Sequence, residues 1–191
     1  MTSRRFSRVI EDLDGGFGEP LLTRSRCIFR VTFRALAVVA ILAGLPAAAQ
    51  DPAVDFVRVD KSERTLTLFS AGQAVRTYTG IQLGDAPEGP KRFQGDERTP
   101  EGRYTIDYGN PSSAYHLSLH ISYPSAADRA YARARGRSPG GDIFIHGQPN
   151  DWPAGTRVAG DWTDGCIALS DAEIEELWSL VGDGTPIEIV P

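Results

Sequence analysis

Apolar and polar residues alternate along Val54–Val59 and again along Thr65–Ser70, and the polar run Asp60-Lys61-Ser62-Glu63-Arg64 between them predicts a hairpin. Ala71-Gly72-Gln73 marks a second turn, and Ala74–Ile81 reads as a third strand. Leu83–Pro100, rich in Gly, Pro and charge, reads as a long loop, after which the strand pattern resumes over Glu101–Tyr108. Tyr115–Tyr123 also alternates, with Leu117, Leu119, Ile121 and Tyr123 on one face and His116, Ser118, His120 and Ser122 on the other. Asp142–His146 is a compact apolar strand ending at Gly147, residues 148–163 form a loop, and Thr185–Val190 is a closing strand. Two short helices complete the pattern. Ser125–Arg135 is polar, and a second helix opens on a capping box of Ser170 and Glu173, buries Ile174, Leu177, Trp178 and Val181, and stops at Gly182. The chain therefore reads as a mainly β domain with a few short helices, one of them near the C-terminus.

The first 49 residues do not fit that domain. Arg24, Arg26, Arg30 and Arg34 precede the apolar run Ala35–Leu45, which ends in Pro46-Ala47-Ala48-Ala49-Gln50. A basic stretch, a short apolar stretch and an Ala-x-Ala site describe a secretory signal peptide cut after Ala49. The run is too short for a membrane span, which needs about 20 residues. The expected organisation is thus an export segment over 1–49 and one domain over 50–191, released to the periplasm or medium with no membrane span after processing.

Removing the seven arginines and four acidic residues of that segment leaves 13 Lys+Arg against 21 Asp+Glu. So acidic a domain offers little counterion-releasing surface, which argues against nucleic acid as a partner. Of two cysteines only Cys166 remains, so no internal disulfide can form in the mature chain. A buried inert thiol, an intermolecular bridge and a reactive thiolate all stay open.

Three features bear on that choice. Thr163-Asp164-Gly165-Cys166 is a turn-like entry to apolar Ile167-Ala168-Leu169, so the sulfur can be exposed while amides of Gly165 and Cys166 form an oxyanion hole. A thiolate at neutral pH needs an electropositive neighbour or a base. His146, at the end of a strand twenty residues upstream, is the best candidate among three histidines.

Ile145-His146-Gly147, a variable loop, and Thr163-Asp164-Gly165-Cys166-Ile167 together resemble the signature of the L,D-transpeptidase (YkuD) domain family. Gly95-Asp96 and Thr99-Pro100-Glu101-Gly102-Arg103-Tyr104 resemble its Thr-Pro-x-Gly-x-Tyr element, and the likeness runs from about Val54 to Pro191. It implies a mixed-sheet, sandwich-like fold, with Cys166 as nucleophile, His146 as general base and the Gly147 carbonyl orienting the imidazole. The implied reaction is acyl transfer on peptidoglycan stem peptides through a Cys166 thioester, without a cofactor, serving cross-linking or the anchoring of an outer-membrane protein. Where many members have His before the Gly-Cys pair this chain has Asp164, and where many carry Arg two residues after the cysteine it has Ala168. The local sequence is similar to a small single-domain branch that includes a hydrolytic relative, so hydrolysis of peptidoglycan–peptide or peptidoglycan–protein bonds is the alternative, and a non-catalytic cell-wall-binding module is a second one.

Other residues carry two readings each. Asp164 holds a substrate amine or caps the turn, and Thr163 contacts substrate or shapes that turn. His120 faces the groove or is structural, and Trp162 lines the acceptor path or anchors the loop. Arg129 and Arg133, with Arg135 and Arg137, bind stem carboxylates or are a solvated helix face. His116 and His120 are four apart, but on a strand and without a Cys-x-x-Cys pattern, which argues against a metal site.

Overall fold

The computed structural model describes residues 53–191, so the expected export segment lies outside the described residues. Strands β1 (Phe56–Asp60) and β2 (Thr65–Ser70) form the expected hairpin, with Val57, Val59, Leu66 and Leu68 fully buried on one face. Asp60 holds the turn by accepting from the Ser62 hydroxyl and the Glu63 amide. Strand β3 (Gln73–Thr79) pairs antiparallel with β2 but ends two residues sooner than the pattern predicts. Ile81 leaves the strand and turns into the core.

Strand β4 runs Gly102–Ser113, five residues beyond the expected end at Tyr108. Gly109 permits the extension, because a Cβ there would stand 2.5 Å from the Trp178 ring, and register shifts on either side absorb Asn110-Pro111. Strand β5 (His116–Ile121) pairs with β4, and β6 (Ile143–His146) pairs with β5. Two elements flank the sheet. Helix α1 (Ala126–Arg133) carries a capping box of Ser125 and Asp128, a signal absent from the sequence reading. Helix α2 (Asp171–Leu180) has the expected Ser170–Glu173 box and buries Ile174 and Leu177. It ends when Val181 turns extended, one residue ahead of the predicted glycine stop.

The closing strand β8 (Thr185–Val190) enters the middle of the sheet, parallel to β1 and antiparallel to β4. A two-residue strand, β7 (Ile167–Ala168), lies parallel to β6 at the far edge. The result is one mixed eight-stranded sheet in the order β3-β2-β1-β8-β4-β5-β6-β7, so the mainly β expectation holds. The sheet curls. Gln82, just past β3, exchanges both backbone hydrogen bonds with Ala168 of β7 (2.9 and 2.8 Å), joining the two edges. One apolar core from Val57 to Ile189 fills the interior. Among the described residues no helix is long and apolar enough to cross a membrane.

Substituting Gly109→Ala forces a methyl into the Trp178 ring. We expect a loss of about 1–3 kcal/mol in urea unfolding, while Gly72→Ala, facing open space at φ +75°, strains only its own turn.

Candidate active site

The apolar alternation of β6 puts Ile143 and Ile145 in the core and turns Phe144 and His146 to the opposite face. Pairing of β7 with β6, Ile145 opposite Ile167, then brings the residue before β7 alongside Phe144. That residue is Cys166. Its Sγ accepts the Phe144 amide at 3.4 Å and donates to the Asp142 carbonyl at 3.6 Å. The twenty-residue gap between His146 and Cys166 is thus closed by one strand pairing, and both residues border the same two cavities.

The turn before Cys166 is fixed from inside. The Thr163 hydroxyl accepts the Gly165 amide (3.2 Å) and donates to the Cys166 carbonyl (2.7 Å). Gly165 has φ +128°, and a Cβ there would lie 2.5 Å from the Arg98 carbonyl, so only glycine fits. Because Thr163 takes the Gly165 amide, that group is occupied within the turn, whereas the Cys166 amide takes no part in these bonds. Lys91, only 4% exposed, supports the turn from below. Its ammonium donates to Asp96 (3.0 Å) and to the Asp164 carbonyl (3.4 Å). Burial opposes ionisation of Asp96, but the amides of Arg92 and Phe93 and the Lys91 ammonium outweigh it and hold its pKa below the usual range.

His146 is 3% exposed, and its Nδ1 lies 2.7 Å from the Gly147 carbonyl. A carbonyl only accepts, so Nδ1 carries the proton and Nε2 is left basic. Gly147 is required here: its amide donates to the Tyr115 and Leu117 carbonyls, and a Cβ would meet Asp171 at 2.7 Å and His116 at 2.9 Å. Burial lowers the His146 pKa to about 4, against the Gly147 bond, which raises it. Burial likewise raises Cys166 to about 11, with the Phe144 amide opposing and Asp164 adding to the rise. Between these values both groups are neutral, a thiol and an imidazole bordering the same two cavities.

The larger cavity, about 790 Å³, has Lys91, Glu97, Asp142, Tyr115, Trp162 and Asp164 around the pair. The smaller, about 280 Å³, lies over the sheet face made by Asn110, Ser118 and His146, with Phe144 and Tyr115 as walls. Trp162, Thr163 and Asp164 therefore reach the site. His120 does not line either cavity: it binds Asp107 (2.6 Å) and stacks on Tyr108, and it reaches the sulfur only through Phe144. His116 goes to a different carboxylate, Glu175 (2.7 Å). Arg129 donates to the Pro124 carbonyl, and neither it nor Arg133 borders a cavity that Cys166 lines. Arg135 and Arg92 instead lie over the Tyr131 ring, and Arg137 lies over Phe93.

Sequence reasoning missed Lys91, Tyr115 and Gln148. Buried Gln148 donates to the Leu169 carbonyl (2.6 Å) and accepts the Val158 amide (2.9 Å), tying the 148–163 loop to the strand after Cys166. Only a lysine inside a Gly/Pro-rich loop hinted at the first, and nothing in the local pattern marked the other two.

The family model for the L,D-transpeptidase catalytic domain matches residues 55–189. This chain belongs to that family. YafK of Escherichia coli strain K12, named for the same family, is 29% identical over 136 residues, covering 66% of this chain and 46% of that protein. The helical cell shape determining protein Pgp2 from Campylobacter jejuni superposes with a TM-score of 0.58 at 27% identity, covering 73% of this chain and 48% of Pgp2. Bd1075 from Bdellovibrio bacteriovorus shares the fold, with a TM-score of 0.51 at 24% identity, covering 72% of this chain and 48% of Bd1075. The chain spans about half the length of these relatives.

A buried neutral imidazole makes this L,D-transpeptidase-family domain acid-sensitive. The unfolded chain binds a proton at His146 near pH 6.5, whereas the folded one waits until about pH 4. Stability should therefore fall as pH drops through that window, by up to about 3 kcal/mol from this group. Chemical denaturation at stepped pH should show a shallower decline in His146→Ala.

Proposed function

We propose that this chain is an exported cysteine acyltransferase acting on peptidoglycan stem peptides, with Cys166 as nucleophile and His146 as general base. The observation that carries the reading is the Gly147 carbonyl fixing Nδ1–H of a buried imidazole whose neighbouring cavities are also lined by Cys166, the one thiol among the described residues. Family membership supports the same chemistry.

In this reading the Cys166 proton passes to His146 Nε2 and the sulfur attacks a peptide carbonyl. The Cys166 amide, unused in its turn, faces the developing oxyanion. Collapse of the tetrahedral intermediate breaks the peptide bond. The imidazolium returns its proton to the leaving D-amino acid, and a thioester remains on Cys166. An amine of a second stem or of an outer-membrane protein resolves the thioester in transfer, and water does so in hydrolysis. Two cavities meeting at one sulfur favour transfer, since donor and acceptor can then approach from separate sides. No cofactor enters the scheme. The name of Pgp2 extends the proposal to a role in cell shape through the wall, and the Ala-x-Ala site after an apolar run supports a periplasmic or secreted location.

A carbapenem, whose strained carbonyl acylates nucleophiles, should add its mass to the wild-type chain but not to Cys166→Ala. His146→Ala should slow that acylation by about 10²–10⁴. Incubation with defined muropeptides then sorts the outcomes by mass. Cross-linked or D-amino-acid-exchanged products support transfer, shortened stems alone indicate hydrolysis, and no product with no carbapenem adduct leaves a binding module.

A further inference from the structure

Taking the thiol proton turns His146 into a cation inside a buried site, yet its one side-chain hydrogen bond among the described residues goes to a neutral carbonyl. Burial works against that cation. Cys166, Asp142, Asp164, Lys91 and Glu97 line the larger cavity with it, Asp171 and His116 lie against the adjoining Gly147, and none of them hydrogen-bonds to the imidazole. What does lie against the ring is aromatic. Tyr115 covers it at 4.6 Å between centroids and 32° between planes, and Trp162 closes the side at 5.6 Å and 65°. Tyr115 and Trp162 also touch one another at 5.7 Å.

The position of Tyr115 is built, not incidental. Its carbonyl accepts the Gly147 amide, its own amide is held by the Ser113 hydroxyl, and Asn150 grips the same hairpin at Ser113, Ala114 and His116. The hairpin makes this reach only by placing His116 at φ +64°, a conformation that disfavours a residue with a side chain. The ring remains 39% exposed, so its place owes little to core burial.

We propose that Tyr115, assisted by Trp162, is a positioning residue whose π face stabilises the His146 imidazolium formed when Cys166 gives up its proton. The inference rests on the Cys166–His146 reading above. The proton moves from Sγ to Nε2, leaving a thiolate and an imidazolium with no change in net charge, and the electron-rich ring faces favour the charged form. The rings thus supply the charge stabilisation that a carboxylate gives in a triad with an acidic third member, while the Gly147 carbonyl keeps the orienting role at Nδ1.

The test is the pH–rate profile of iodoacetamide alkylation, read at Cys166 by peptide mass on the purified full-length chain. Tyr115→Leu should lower the rate at neutral pH by about threefold to thirtyfold, the range expected for a lost cation–π contact. Tyr115→Phe, which keeps the face, should restore most of it. On the alkaline limb, where hydroxide takes the proton, the Leu variant and the wild type should converge. In a His146→Ala background Tyr115→Leu should have no further effect, and Trp162→Leu provides a second variant should the hairpin substitution unfold the chain. Equal rates for wild type and Tyr115→Leu at neutral pH, or a deficit that persists in the His146→Ala background or on the alkaline limb, overturn the inference. If His146→Ala leaves alkylation unchanged, the Cys166–His146 reading fails and the inference fails with it.

Discussion

The edge-to-edge closure at Gln82 and Ala168 is the constraint on which this molecule depends. A two-residue strand cannot hold itself in a sheet, and β7 persists because β6 pairs with it on one side and Gln82 on the other. The next contact outward, between Gly84 and Thr163, repeats the arrangement on the far side of the Cys166 turn: Asp85 donates to Thr163, and Thr163 donates to Leu83. The backbone around Cys166 is therefore gripped both before and after the sulfur. Gly84 and Gly165 let the loop at Glu97 and Arg98 come so close, since a Cβ on Gly84 would meet the Glu97 carbonyl at 2.1 Å and one on Gly165 the Arg98 carbonyl at 2.5 Å.

That grip explains the electrostatic character of the pair. Burial withdraws water from both groups and keeps the thiol and imidazole neutral at rest. A neutral thiol is a poor target for oxidants. The orienting group is a backbone carbonyl one residue away, so imidazole orientation is set by chain geometry and does not depend on a distant carboxylate staying ionised.

Around this centre the charged residues divide by task. Lys61, Arg64 and Lys91 are spent on fixing loops: Lys61 binds Glu101 and the Gly89 carbonyl, Arg64 makes two bonds to Asp161, and Lys91 joins Asp96 to the turn before Cys166. Asp161 in turn accepts the Leu83 amide, which links the loop carrying Trp162 to the closure. The arginines of α1 serve none of these functions; those beyond its end lie flat on Tyr131 and Phe93. Their spacing in the sequence suggested a substrate-binding face, but the helix buries Asp128 and Ala132, and Arg129 and Arg133 border neither cavity that Cys166 lines.

The sequence by itself determined what short-range physics can specify. Alternation marked the β1–β2 hairpin and β5, an apolar run marked β6, the capping box located α2, and the resemblance of His146-Gly147 and Gly165-Cys166 to a family signature singled out the candidate site residues. Those signals are local, because strand faces and helix caps depend on neighbours only a few residues apart. Tertiary structure alone decided the rest. The insertion of β8 between β1 and β4, the existence of β7, the support from Lys91 and Gln148, and the ring of Tyr115 over His146 all join residues far apart in the chain. Strand pairing and buried hydrogen bonds reward shape and partner, and neither leaves a periodic mark at the position that receives it.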